Sequence, residues 1–204
     1  LIIVAAKTGA GTSLFAVDGD AAGLTKTSLS TMDQTRKQAK ITFAATPARL
    51  IGTEGEGWSV LSRVLDLAAV ALAAEEVGGA QKVLEMAVEY AKVRVQFGRP
   101  IGSFQAVQHM LANVWIDVEA AWLAAYEGIS ELERDDATAT HRVCAARCIG
   151  NEAFTRACFT AHQVLGGMGF MWETDLHLWT RKAKEMELGC GGLQRHRDLL
   201  AGAL

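Results

Sequence analysis

Proline is almost missing from this 204-residue chain, at two positions, and only Pro100 stands in its helix-patterned part. A scarcity of proline removes the commonest helix breaker and allows long uninterrupted helices. Cysteine is scarce too, at four positions. Cys144, Cys148 and Cys158 crowd into one stretch, which rules against a secreted disulfide framework and favours a reducing cytoplasm. No excess of basic charge is present, since the formal net charge is -3. A field of that sign gives no general attraction for nucleic acid or anionic membrane. The most apolar run, Val64 to Ala74, carries Asp66 and falls short of the roughly 20 residues of a spanning helix. No membrane span is therefore expected. A charged n-region and a cleavage pattern are also lacking, so no signal peptide is read. The chain opens inside the apolar run Leu1 to Ala6 without an initiator Met, as a chain cut from something longer would.

What is present divides into two classes. LIIVAA reads as a buried strand and TGAGT as a turn. SLFAVD, LTKTSL and KITFA follow with strand periodicity, separated by a turn at Gly19 to Gly23. Pro47 and the glycines of IGTEGEG mark a change of class. Beyond them, helices are predicted over Trp58–Arg94, Phe104–Arg134, Ala137–Val164, Glu173–Leu188 and Leu193–Ala203. The first half of the first helix is apolar on nearly every face, which requires burial in a bundle or an oligomer. The second carries an apolar stripe at Phe104, Val107, Leu111, Val114, Val118, Trp122, Ala125, Ile129 and Leu132. Asp135 and Asp136 supply stop and N-cap chemistry. The fold class is α+β, with the end of a β-domain at 1–52 and an all-α bundle at 53–204.

The corner RVQFGRPIGSFQAVQH, Arg94 to His109, concentrates unusual chemistry. Gly98 permits a C-terminal bend and Pro100 stops the helix. Those needs do not call for Phe97, nor for Gln105 and Gln108 just inside the next helix. Arginine suits paired phosphate oxygens, an aromatic ring stacks on a base, and glutamine both donates and accepts. A second cluster, QVLGGMGF at Gln163 to Phe170, is either a helix cap or bare backbone that a ligand can approach.

Together the two motifs closely resemble the C-terminal domain of acyl-CoA dehydrogenases. GTEGEGWSVLSRVLDLAAVALAAEEVGGAQ resembles that family's entry into its long helix, and the strands before Gly52 resemble the end of its middle β-domain. The resemblance implies an FAD-dependent enzyme that converts an acyl-CoA thioester to its trans-2-enoyl form. A carboxylate takes the α-proton while the β-hydride passes to FAD. It implies a tetramer, with electron-transferring flavoprotein as acceptor, and a cofactor handle at Arg94, Phe97, Gln105, Gln163, Gly166 and Gly167 reaching the FAD of a neighbouring subunit. Gln194 falls on a further family position that touches flavin.

The family's base does not carry over. Aligning RKAK at Arg181 to Lys184 with the family pattern puts Cys190 where a glutamate belongs, with Gly191 after it. The alternative position, on the long helix in LDLAA, holds Ala68 for the glutamate and Ala69 for the arginine. A thiol is a poor substitute for a carboxylate base. Glu75, Glu76, Glu185 and Glu187 lie near in sequence and read as ion-pair or surface residues. The expectation is a non-catalytic subunit that holds FAD for a sister chain in a homo- or heterotetramer. The tail AKEMELGCGGLQRHR resembles mixed tetramers of actinobacterial steroid side-chain breakdown, which implies a steroid-CoA substrate. An alternative is a helical oligomerisation scaffold that has lost flavin chemistry.

Two other patterns carry less. His141, Cys144 and Cys148 share a helical face but lack a fourth ligand, and no metal is expected. Trp115 and Trp122 lie two turns apart and read as core or subunit interface.

Overall fold

The computed structural model describes residues 1–135 and 138–202, apart from the side chain of Cys190. Two compact units divide inside the first helix, at Leu1–Asp66 and Leu67–Leu204.

In the first unit, β1 (Ile2–Thr8) pairs antiparallel with β2 (Gly11–Val17), and β2 pairs with β5 (Arg49–Ile51). A separate antiparallel pair joins β3 (Leu24–Ser28) to β4 (Ala39–Phe43). The strand-patterned stretches of the sequence thus appear as strands. β1 corrects the reading of a buried run: it is an edge strand, alternately covered and exposed, with Ile3 outward. Ser13 at the centre of β2 is fully buried and accepts a hydrogen bond from the Gly55 N–H at 2.8 Å. Gly55 has φ 86°, and a Cβ there would lie 2.5 Å from the Ala10 carbonyl, so only glycine fits this turn.

The remainder is helical. α1 (Gly57–Val93) is followed by a small hairpin, β6 (Val95–Gln96) and β7 (Arg99–Pro100). Then come α2 (Gln105–Glu133), α3 (Ala139–Leu165), α4 (Leu176–Leu188) and α5 (Gly192–Ala201). Asp135 ends α2 in a left-handed conformation, φ 56°. The other proposed stop residue, Asp136, lies outside the described residues. α4 begins later than its sequence pattern, because the Thr174 hydroxyl bonds the Met168 and Met171 carbonyls and holds a turn there.

The main core packs Val83, Leu84, Ala87, Val114, Val118, Phe154, Ala157, Ala161, Leu176 and Met186. The buried stripe of α2 is not quite the predicted one. Ala121 and Gly128 are buried, whereas Trp122 and Ile129 are each 42% exposed. Small residues win because they allow close helix approach. A Cβ at Gly128 would already lie 3.4 Å from Val70 Cγ2 and 3.6 Å from Ala146 Cβ. Gly79 is tighter still, with a hypothetical Cβ 2.6 Å from Phe154 Cζ.

The opening of α1 is only partly covered within this chain, where the sequence asks for burial in a bundle or an oligomer. Trp58, Val60, Val64 and Leu67 are about half exposed within this chain. α1 is long and apolar enough, by length and composition, to cross a membrane, and 22% of its most apolar stretch is buried. The most apolar run is bounded at Val64 and Ala74 in the sequence, whereas one helix continues beyond both ends.

Candidate cofactor-binding site

The first side of the site is the α1–α2 corner. The Arg94 N–H bonds the Tyr90 carbonyl at 2.9 Å, and the Arg94 carbonyl accepts from Ile101 at 2.8 Å. Between them the hairpin turns through Phe97 (φ 54°) and Gly98 (φ 79°), both left-handed. That geometry is natural for glycine and costs a phenylalanine about 1 kcal/mol or more. The strained residue is 93% exposed, so its ring is presented outward. Phe104 meets it edge-on at 6.1 Å, and the Arg99 guanidinium sits 4.0 Å over the Phe104 ring. Gln108 braces the base of the corner through the Gly102 carbonyl at 2.9 Å.

The second side is the end of α3. Gly166 terminates it with φ 57° and donates its N–H to the His162 carbonyl. A short 3-10 turn, Gly166–Phe170, follows. Nothing lies within 4 Å of where a Cβ would stand on Gly166 or Gly167.

These two sides enclose an open groove of about 580 Å³, lined by Arg94, Gln96, Ile101, Gly166, Gly167 and Met171 among others. A smaller recess of about 270 Å³ holds Phe97, Phe104, Met110 and Gln163. The structure therefore gathers Arg94, Gly166 and Gly167 at one groove, with Phe97 and Gln163 at the recess. Arg94 is exposed and makes no ion pair among the described residues. Gln105, the first residue of α2, is exposed and lines neither space. Gln194 lies on α5, exposed, and donates to Asp198 at 2.7 Å. A cation at the lip and bare backbone opposite suit a pyrophosphate, and an aromatic ring beside a free amide suits a heteroaromatic base. The residues present therefore fit FAD.

A different polar cluster lies inside the bundle. Glu76 of α1 and Arg147 of α3 form a fully buried ion pair. Arg147 also donates to the Met186 carbonyl at 2.7 Å. Asn151 donates to Glu76 at 2.9 Å and to the Ala183 carbonyl at 3.2 Å. Burial raises the Glu76 carboxyl above its ordinary value, more than the adjacent Arg147 cation lowers it. The cluster ties the end of α4 to α1 and α3. The sequence pattern missed its geometry, though a lone arginine and asparagine four apart on an otherwise apolar helix face were its visible sign.

Neither family base position supplies a described carboxylate. Ala68 is a half-buried methyl on α1, and the Cys190 side chain lies outside the described residues. The neighbouring glutamates are engaged elsewhere: Glu75 with Lys182 at 3.4 Å, Glu185 with Lys182 at 3.9 Å, and Glu187 with Lys184 at 2.6 Å. Of the histidine–cysteine face on α3, Cys144 and Cys148 are buried, and Cys144 Sγ meets His196 Nδ1 at 3.3 Å. Trp115 and Trp122 are not core in this chain, as both are substantially exposed.

Residues 55–204 match the profile of the acyl-CoA dehydrogenase, C-terminal domain. The chain belongs to the acyl-CoA dehydrogenase family. It is 37% identical over 155 residues to the acyl-CoA dehydrogenase IpdE2 of Mycobacterium tuberculosis, covering 76% of this chain and 44% of that protein. Among solved structures, butyryl-CoA dehydrogenase from Megasphaera elsdenii superposes with a TM-score of 0.94 at 26% identity, over 98% of this chain and 55% of that one. A variant of the Tcur3481-Tcur3483 steroid ACAD superposes with a TM-score of 0.86 at 30% identity, over 98% and 54%. The chain thus spans about half the length of these acyl-CoA dehydrogenases. The family's cofactor is FAD, and membership disfavours a scaffold without flavin chemistry.

Proposed function

We propose that this chain is the C-terminal part of an acyl-CoA dehydrogenase subunit that holds FAD and leaves proton abstraction to a sister subunit. The observation that carries the reading is the groove: an Arg94 cation, without an ion pair among the described residues, shares it with the bare backbone of Gly166–Gly167. FAD, when bound, supplies the hydride acceptor for oxidation of the acyl chain. Arg94 neutralises phosphate charge, Gly166 and Gly167 allow the backbone to approach, and Gln163 and Phe97 hold the base end. The family resemblance assigns Gln105 and Gln194 to flavin as well, while neither lines the groove or the recess of this chain. In this family the handle serves the FAD of a neighbouring subunit, so function requires a tetramer.

The missing base supports the non-catalytic assignment. Removing a general base costs about 10² to 10⁴ in rate. Ala68 cannot replace it, and the glutamates nearby are held by lysines. The substrate is an acyl-CoA in a reducing cytoplasm, with electrons leaving to an electron-transferring flavoprotein. The likeness to a steroid ACAD supports a steroid-CoA thioester.

The test uses the full-length chain, expressed alone and with a sister subunit carrying the glutamate. The mixed assembly is expected to be yellow and active, and Arg94→Ala or Gln163→Ala to assemble without flavin absorbance. Flavin binding and normal acyl-CoA dehydrogenation by the full-length chain alone would refute the non-catalytic role. A fully yellow Arg94→Ala assembly would refute the handle.

A further inference from the structure

One face of α3 carries Cys144, Arg147 and Asn151, spaced by three and four residues, and all three are buried. Each meets the end of α4 or the start of α5. Arg147 Nη2 donates to the Met186 carbonyl at 2.7 Å, and Asn151 Nδ2 to the Ala183 carbonyl at 3.2 Å. Cys144 Sγ meets His196 Nδ1 of α5 at 3.3 Å. Behind them stands Glu76 of α1, ion-paired with Arg147 and accepting from Asn151 at 2.9 Å. Gly150 makes room for it, since a Cβ there would lie 3.2 Å from Glu76 Oε2.

The two helix ends gripped in this way flank Gly189–Gly192. A 3-10 turn spans Gly189–Gly191, and Gly192 opens α5. Gly191 and Gly192 are left-handed, with φ 94° and 75°. With glycine at three of four positions the turn has a wide choice of backbone conformations, so its place depends on the helix ends that carry it. The Met186 carbonyl is the joint: it accepts the Gly189 N–H as well as the Arg147 guanidinium.

A buried ion pair contributes little to stability, because packed apolar residues replace it at small cost. Arg147 Nε is moreover buried without an acceptor among the described residues. What a guanidinium fork does supply is direction, since it holds its acceptors at fixed angles. Here one of those acceptors is the carbonyl from which the turn hangs.

We propose that Arg147 and Asn151, backed by Glu76, are positioning residues: they form a cradle on α3 that fixes the Gly189–Gly192 turn, the segment where the family alignment places the catalytic base. The chain then keeps the mount for a base while carrying Cys190 on it. The link to the base rests on the family reading of Cys190. The cradle itself does not.

The experiment uses the full-length protein assembled with a sister subunit. Hydrogen–deuterium exchange is followed for peptides covering 187–193 and 143–155, at urea concentrations below the unfolding transition. In the wild type the two should share one urea dependence, because the turn opens only when α3 lets go. A turn that exchanges freely while α3 stays protected would overturn the cradle without any substitution. In the double variant Glu76→Leu with Arg147→Met, peptide 187–193 should lose protection by about ten- to hundredfold, as loss of one charge-assisted hydrogen bond implies. Peptides of α2 should keep theirs. Unchanged protection of the turn in that variant, or a loss spread evenly over all helices, would also overturn the cradle. The base position is read with Cys190→Glu, in an assembly whose sister glutamate is replaced by glutamine. On the intact cradle this variant should dehydrogenate acyl-CoA. Adding Glu76→Leu and Arg147→Met should lower kcat by about a hundredfold and leave KM little changed, as a misplaced base does. A rise in KM at unchanged kcat would overturn the link to the base. A protected turn with an inactive Cys190→Glu supports the cradle and removes the reading of Cys190 as the base position.

Discussion

At the scale of single residues, burial decides which polar side chains are structural. Glu76 and Arg147 are both 0% exposed. Breaking such a pair leaves a bare buried charge, at a cost of about 3–5 kcal/mol. Arg147→Met should therefore destabilise the protein by about that amount in urea unfolding. The double variant Glu76→Leu with Arg147→Met should recover most of it, because a well-packed apolar pair replaces a buried ion pair at little cost. If the double variant is as unstable as the single one, the arginine acts through its backbone bond to Met186 instead. Cys158 gives a second prediction. It is 1% exposed, with a thiol pushed up by burial to about 12. Mass-spectrometric mapping after iodoacetamide treatment of native protein at pH 8 should find it unmodified, since the thiolate is the nucleophile.

At the scale of elements, adjacent glycines on α1 separate propensity from packing. A Cβ at Gly78 meets nothing within 4 Å, whereas one at Gly79 meets Phe154 Cζ at 2.6 Å. Gly78→Ala should raise thermal stability, worth about 0.4–1 kcal/mol. Gly79→Ala should lower it by about 1–3 kcal/mol through overpacking. Equal melting shifts for the two would contradict the close approach of α1 and α3. The existence, type and order of these helices were legible in the sequence, because proline is sparse and apolar spacing of three and four persists. Their contact faces were less legible. Trp122 and Ile129 fit the apolar rhythm of α2 as well as Ala121 and Gly128 do. Hydropathy favours the large residues, but interhelix distance favours the small ones.

At the scale of the whole molecule, unsatisfied apolar surface is the main feature. α2 presents Trp115, Ile116, Trp122, Leu123 and Tyr126 outward, with Trp122 stacked on Tyr126 at 4.6 Å. Patches of this kind mark association surfaces. Within the tetramer proposed above, a charge placed there should weaken assembly. Leu123→Glu in the full-length protein is expected to shift light-scattering mass below that of the tetramer at micromolar concentration. An unchanged mass would move the subunit contact to another face.

The sequence by itself determined the α+β class, the long helices and the paired cationic and glycine motifs. It did so because periodicity, turn chemistry and motif spacing are local properties of the chain. The tertiary structure alone decided that Arg94 shares a groove with Gly166 and Gly167 while Gln105 and Gln194 stand outside it. It also decided that Glu76 is locked to Arg147, 71 positions away, and that His162 is wedged between Thr180 and Phe170. These are contacts between distant segments, set by helix packing distances that no local pattern encodes.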